Sequence, residues 1–167
     1  MLAWTIPGHN GSDTAKPCLD QPMTDATLSF AMAHSGRVET IEHAGKVLCI
    51  LVRATPQPTQ TEFYTPNDYN LQLGNVVYPG GSAIPRHSHR PVTRTVTGTS
   101  EVLVVQKGKM LIDLYDDDKN LVATREMVAG DAVALVSGGH GFRLVEDTVL
   151  LEVKQGPYSG VQEKDRF

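Results

Sequence analysis

A succession of short β-type runs, separated by turn residues, limits the fold of this chain more than any other feature of its sequence. Nine such runs follow one another from Arg37 onward, each rich in Val, Leu, Ile or Thr. They read RVETIEHA, GKVLCILVRA, NLQLGNVVYP, EVLVVQK, KMLIDLYD, LVATREMV, DAVALV, GFRLV and TVLLEVK. The sequence therefore predicts an all-β domain.

Several runs, VLCILV among them, are apolar at consecutive positions, which indicates strands that are covered on both faces. Two sheets packed face to face, or one sheet closed into a barrel, provide that cover. A jelly roll or a small barrel fits best because it leaves few free strand edges. The turn residues between the runs predict hairpins at Ala44-Gly45, Lys107-Gly108, 116–120, Gly130-Asp131 and Glu146-Asp147.

The chain has 167 residues, which is the length of one domain. We divide it into an N-terminal arm over residues 1–36, a β-barrel domain over 37–160 and a C-terminal tail over 161–167. The arm is rich in Gly, Pro and Asp, and it holds the only predicted helix, ATLSFAMAHSG. Asp25 is the predicted N-cap of this helix and Gly36 its C-terminal stop.

Composition and charge exclude several functions. The chain has 15 basic and 19 acidic side chains, a net charge of -4 and a sequence pI of about 5.8. It therefore lacks the excess of positive charge that binds a nucleic-acid backbone. Its longest apolar run, Val47 to Val52, is far shorter than the roughly 20 residues of a membrane-spanning helix. The first residues lack the basic start and apolar stretch of a secretory signal, which predicts a cytoplasmic protein. Cys49 lies in the apolar run and is expected to be buried and unreactive.

The spacing of two histidines points to metal chemistry. His87 and His89 lie two residues apart, between Pro85 and Pro91, which disfavour a helix there. Side chains alternate across a strand, so both imidazoles point to the same side if the segment is extended. Two neutral imidazoles on one face can bind a divalent metal ion. The alternative is an exposed pair with no ligand.

Two further side chains could bind the same ion. Glu101 stands at the head of an apolar strand, where a carboxylate that enters a core needs a partner or a metal. His140 follows the turn residues 137–139, and the two glycines there could bring its backbone close to a site. The alternatives are a solvated strand end for Glu101 and an exposed hairpin for His140.

Together these residues resemble the motifs of the cupin superfamily. The first motif of that family has a Gly, five residues, His-x-His, a short gap, Glu, six residues and a Gly, and the sequence matches both halves with Gly81, His87, His89, Glu101 and Gly108. Its second motif begins with a Gly and places a His about ten residues later, as Gly130 and His140 do here. Eleven residues, 90–100, separate His89 from Glu101, which is longer than the family gap.

The resemblance implies a single-domain cupin jelly-roll barrel with one divalent transition metal in its mouth, which could be Fe, Mn, Ni or Zn. The implied ligands are His87, His89, Glu101 and His140. Open coordination positions would remain for water or substrate. Arg94, on the inserted segment, could clamp a carboxylate or phosphate, and Phe142 shares the parity of His140 and could wall the pocket. The alternatives are a solvated arginine and an ordinary core aromatic.

The leading functional hypothesis is a small metal-binding enzyme, an isomerase or dioxygenase that acts on a sugar or small carboxylate. One alternative is a module that binds or senses a sugar without turnover. Another is a metal-free sugar-nucleotide isomerase or epimerase that works by a His and Tyr pair. A small molecule is the expected partner. A homodimer is also expected, because barrels of this family often exchange edge strands and the proline-rich connection 54–70 could reach a neighbour.

Overall fold

A computed structural model of the chain describes residues 36–156 and 163–167. These residues belong to one compact unit, Ala33–Phe167, and they form ten strands joined by loops and turns. The strands are β1 Val38–His43, β2 Lys46–Val52, β3 Glu62–Phe63, β4 Gly74–Asn75, β5 Glu101–Lys107, β6 Lys109–Tyr115, β7 Leu121–Val128, β8 Ala132–Leu135, β9 Gly139–Leu144 and β10 Val149–Lys154. The all-β prediction is confirmed. The predicted helix lies outside the described residues except for Gly36.

The strands form three antiparallel sheets. A five-stranded sheet has the order β1-β2-β8-β5-β10, a three-stranded sheet has the order β7-β6-β9, and β3 pairs with β4. The main core lies between the two larger sheets, where Leu51 and Val133 of the first meet Met110, Ile112 and Met127 of the second, all fully buried. In the described part of the chain the sheets form an open sandwich and do not close into a barrel.

A second, smaller core explains why β2 is apolar at consecutive positions. Ile50, Val52 and Ala134 face away from the main core and pack with Tyr64 and Leu73 from the segment that carries β3 and β4. The five-stranded sheet is therefore covered on both faces, as the sequence predicts. The proline-rich segment 54–70, expected only as a connection, supplies β3 and part of this cover.

Most predicted runs are strands over most of their length, but one is a strand at only two residues. NLQLGNVVYP contributes the short strand Gly74–Asn75, and residues 76–100 after it belong to no strand. Three of the predicted hairpins are also wrong. The turns at 107–108, 130–131 and 146–147 join strands of different sheets, whereas Ala44-Gly45 and 116–120 close true hairpins. Turn residues predict where the chain changes direction. They do not predict which strand pairs next, because that depends on how the two sheets pack around one core.

One side of the sandwich is open. The three-stranded sheet ends at β9 and the five-stranded sheet at β10, and the short connection 145–148 between them keeps both free edges on the same side. Phe142 and Leu144 on β9 face inward, because they pair in register with Ile112 and Met110, which are fully buried. Even so, Phe142 is 36% exposed and Leu144 is 61% exposed. These inward-facing side chains therefore lack a covering element among the described residues.

Residues 36–156 and 163–167 include no helix with the length and apolar character needed to cross a membrane. Cys49 is fully buried, and burial raises the pKa of its thiol to about 12. This confirms the prediction of a buried cysteine.

An ion pair fixes the outer face of the three-stranded sheet. Asp113 is 8% exposed, and its carboxylate accepts two hydrogen bonds from Arg143, both at 2.8 Å, and one from Thr124 at 2.5 Å. The hydrogen bonds from Arg143, and then that from Thr124, lower the pKa of Asp113.

We predict that Arg143→Ala lowers the free energy of unfolding at pH 7, because a nearly buried carboxylate then keeps only Thr124. A carboxylate with a lowered pKa stabilises the fold above its unfolded pKa of about 3.9, and this stability is lost as the pH falls through the lower folded value. Urea unfolding at pH 7 and pH 3 measures both effects. The loss should shrink at pH 3, and an equal loss at both pH values would contradict this account. Lys107→Ala, at an exposed position, is the control.

Candidate functional site

An open cavity of about 810 Å³ lies at one end of the sandwich, next to its open side. The start of β5, the end of β6, the first half of β9 and residues 163–167 line it. Its charged and aromatic side chains are Glu101, Tyr115, His140, Phe142, Lys154, Glu163, Lys164, Asp165, Arg166 and Phe167.

Glu101 and His140 meet in this cavity. Glu101 is the first residue of β5, and its side chain points inward on the same face as Leu103 and Val105. His140 pairs in register with Leu114, which is buried in the main core, and so it also points inward. The Nε2 atom of His140 lies 3.2 Å from Oε2 of Glu101. Two side chains far apart in the sequence thus converge across the sandwich.

The surroundings of this pair shift the pKa of its histidine. Glu101 is 7% exposed. Burial lowers the pKa of His140 below its usual value near 6.5, although the attraction of Glu101 opposes the shift, and Lys164 lowers it further. The imidazole is therefore neutral at pH 7. A neutral ring that donates Nε2–H to the carboxylate presents Nδ1 as an acceptor to whatever occupies the cavity.

His87 and His89 form a second pair in another place. Their rings contact each other edge to face, with centroids 5.3 Å apart, and Nδ1 of His87 lies 3.0 Å from the carbonyl oxygen of Pro85. Both residues are exposed on the unpaired segment 76–100. Within the described ranges, no group of three or more His, Cys, Asp or Glu side chains is arranged to bind a metal. The chain therefore brings the four predicted ligands together as two pairs.

The other two predicted site residues, Phe142 and Arg94, lie in different places, one in the cavity and one outside it. Phe142 lines the cavity, with its ring centroid 5.4 Å from that of His140, as their shared parity on β9 predicts. Arg143, of opposite parity, binds Asp113 on the outer face. Arg94 is exposed on the same segment as His87 and does not line the cavity.

Sequence reasoning missed two parts of the site. Tyr115 lines the cavity at the end of β6, and its ring packs edge to face on Phe167 with centroids 5.1 Å apart. Nζ of Lys119 lies 5.2 Å from the centroid of the Phe167 ring, and Nζ of Lys164 is 4.0 Å from Oε1 of Glu101. The position of Tyr115 at the end of a predicted strand could have suggested it as a residue that lines the site. Nothing in the pattern of the last residues could have placed them at the cavity.

Comparisons of the chain with family models, with curated proteins and with solved structures find no match.

The turn before His140 depends on a close approach of two backbones. Gly138 has a positive φ of 69°, and a Cβ atom at this position would collide with the carbonyl oxygen of Tyr115. The turn places the start of β9 against the end of β6, where both cavity walls meet.

We predict that Gly138→Ala lowers the free energy of unfolding by at least about 2 kcal/mol, because it adds left-handed strain to a steric clash. Thermal unfolding followed by circular dichroism measures the loss. Gly80→Ala is the matched control, since Gly80 has open space around it and no positive φ. Equal melting temperatures for the two variants would show that the turn does not position β9.

Proposed function

We propose that this protein is a cupin-type jelly-roll enzyme that binds one divalent transition metal and acts on a sugar or small carboxylate in the cavity. The observation that carries the proposal is the 3.2 Å separation of the Glu101 and His140 donor atoms. Two atoms that ligate one cation at about 2.0–2.2 Å lie roughly 3.0–3.5 Å apart in octahedral or tetrahedral geometry. A carboxylate and a neutral imidazole at this spacing are suitable neighbours in one coordination sphere.

The donor set also fits the chemistry of such an ion. Three imidazoles and one carboxylate suit Fe, Mn, Ni or Zn, and they leave open positions for substrate. The proposed ligands are His87, His89, Glu101 and His140. When bound, a cation of this kind would polarise a carbonyl or stabilise an enediolate, or activate dioxygen if it is iron. Within one chain the described donors fit this site only in part, since His87 and His89 lie outside the cavity lining.

Other side chains of the cavity would bind and orient the substrate. Phe142 provides an apolar wall for the ring face of a sugar or the stem of an acid. Lys164 and Arg166 line the cavity together with Glu163 and Asp165, and either of the two cations would bind a carboxylate or phosphate of the substrate. Lys154 also lines the cavity, and its ammonium group forms an ion pair with Glu152 at 3.1 Å.

A second candidate function is a metal-free isomerase or epimerase. It is supported by the neutral His140 ring in contact with Glu101 and by Tyr115 in the lining of the same cavity. A base oriented by a carboxylate and a phenol that donates a proton are the groups needed to move a proton next to a carbonyl. In this reaction the carboxylate of Glu101 would orient the imidazole of His140, and neither His87 nor His89 would be needed.

Metal analysis separates the two functions. We predict that the protein, loaded with Mn, Fe, Ni or Zn and then dialysed, retains close to one ion per chain, and that Glu101→Gln with His140→Gln reduces the retained metal at least about tenfold because two donors are lost. Inductively coupled plasma mass spectrometry measures the content. Glu152→Gln, which removes a carboxylate outside the cavity lining, is the matched control and should retain the metal.

Retention of the ion by the double variant would contradict the metal proposal. Absence of metal from the wild type would favour the second candidate, provided that the wild type exchanges solvent deuterium into a keto sugar and that His140→Asn and Tyr115→Phe abolish this exchange. Binding of a sugar or carboxylate by the wild type without turnover would instead identify a binding or sensing module.

A further inference from the structure

Residues 163–167 form one side of the cavity, and we call them the rim segment. Each of its residues lines the cavity, and each is exposed. The segment contributes two cations, Lys164 and Arg166, two carboxylates, Glu163 and Asp165, and the ring of Phe167. It therefore supplies more of the charged groups of the cavity than the strands do.

Phe167 fixes the position of the rim segment. Its ring packs edge to face on Tyr115, with centroids 5.1 Å apart, and Nζ of Lys119 lies 5.2 Å from its centroid. The ring also lies against the backbone of Gly139, because a Cβ atom built there would be 3.0 Å from Cζ of Phe167. Contacts with β6, with the 116–120 turn and with β9 thus anchor one residue. The ring is still 63% exposed, so the anchor holds the segment at the surface of the domain.

Two of the three cations of the cavity are offset by carboxylates. Nζ of Lys164 lies 4.0 Å from Oε1 of Glu101, and Nζ of Lys154 lies 3.1 Å from Oε1 of Glu152. Such pairs attract a further anion weakly, because the neighbouring carboxylate repels it. Arg166 is the third cation, and within residues 36–156 and 163–167 it forms no ion pair. Its guanidinium group is therefore available to a ligand.

Direct contact, and not general attraction, would select a ligand at this position. The rim segment has two cations and two carboxylates, so its net charge is zero and it creates no strong field. A guanidinium group binds a carboxylate or a phosphate through two parallel hydrogen bonds, which makes the contact both strong and specific in direction. The hydroxyl groups of a neutral sugar do not provide a charged partner for it.

We propose that the ligand of the cavity carries a carboxylate or a phosphate and that Arg166 binds this group. Phe167 positions Arg166, because its anchor on Tyr115 and Gly139 holds the adjacent residue at the cavity. The inference rests on the proposed function for the cavity as the site of a small ligand, and it needs no metal. Arg166 is then the residue that distinguishes an acid or a phosphorylated sugar from a neutral sugar.

Matched probes test the role of Arg166. Glucuronate has a carboxylate where glucose has a hydroxymethyl group, and inorganic phosphate is an anion without a sugar. NMR titrations of the full chain, followed at the amide of Gly139, measure their binding. Glucuronate and phosphate should bind the wild type at least about tenfold more tightly than glucose does, and Arg166→Gln should weaken both about tenfold, because the charged hydrogen bonds are lost.

Asp165→Asn is the matched control, since it removes a charge of opposite sign from the neighbouring residue and should not weaken either anion. Equal affinity of the wild type and Arg166→Gln for both anions would overturn the role of Arg166. Glucose bound as tightly as glucuronate would be compatible with a sugar site and would exclude the anionic ligand. An absence of shifts with either anion up to about 50 mM would also overturn the inference.

Phe167 variants test the positioning role. Phe167→Ser should weaken glucuronate and phosphate about fivefold, because the ring contacts that hold Arg166 are lost, whereas Phe167→Tyr keeps the ring and should retain the affinity. Both should melt at the wild-type temperature, since the ring is largely exposed. Phe63→Ser, at a 51% exposed phenylalanine of β3 outside the cavity lining, is the matched control. Unchanged affinity in Phe167→Ser would refute the positioning role.

The inference and the proposed function can fail separately. A protein that binds both anions through Arg166 and retains no metal would support the inference and remove the metal function. A protein that retains one ion per chain and binds the anions equally well with and without Arg166 would support the metal function and overturn the inference.

Discussion

Burial of two inner sheet faces against each other is the interaction on which this structure depends. The side chains of the main core come from strands that are distant in the sequence, such as β2 with Leu51 and β6 with Ile112. Because the two sheets share this core, the inward-facing residue at the head of β5 is directed toward the inward-facing residues of β9. The contact between Glu101 and His140 is a consequence of sheet packing, and no local motif creates it.

The same packing leaves the structure incomplete on one side. β9 follows the pattern of an inner strand, yet Phe142 and Leu144 stay partly or largely exposed because no further strand lies beside them in the described part of the chain. The run that could have supplied such a strand contributes only Gly74–Asn75 and continues into residues 76–100, which belong to no strand.

The strand periodicity in the sequence was sufficient to predict the fold class and much of the local geometry. Parity on β9 correctly placed Phe142 beside His140. Register across sheets could not be predicted, because the pairing of Leu114 with His140 depends on which strands become neighbours. For the same reason, the sequence predicts hairpins at turns such as Lys107-Gly108, which join strands of different sheets in the structure. Phe167 at the cavity had no signal in the pattern at all.

The candidate site can support two chemistries because its central pair serves either one. A carboxylate that accepts a hydrogen bond from a neutral imidazole can orient a base, and the same two atoms at 3.2 Å can ligate one cation. Which chemistry operates depends on whether His87 and His89 reach the cavity.

The most direct test is a crystal structure of the protein soaked with Mn or Zn, with diffraction data collected at the absorption edge of that metal. The account predicts one strong anomalous peak per chain in the cavity, within about 2.0–2.2 Å of Glu101 and His140. A cavity without such a peak would contradict it.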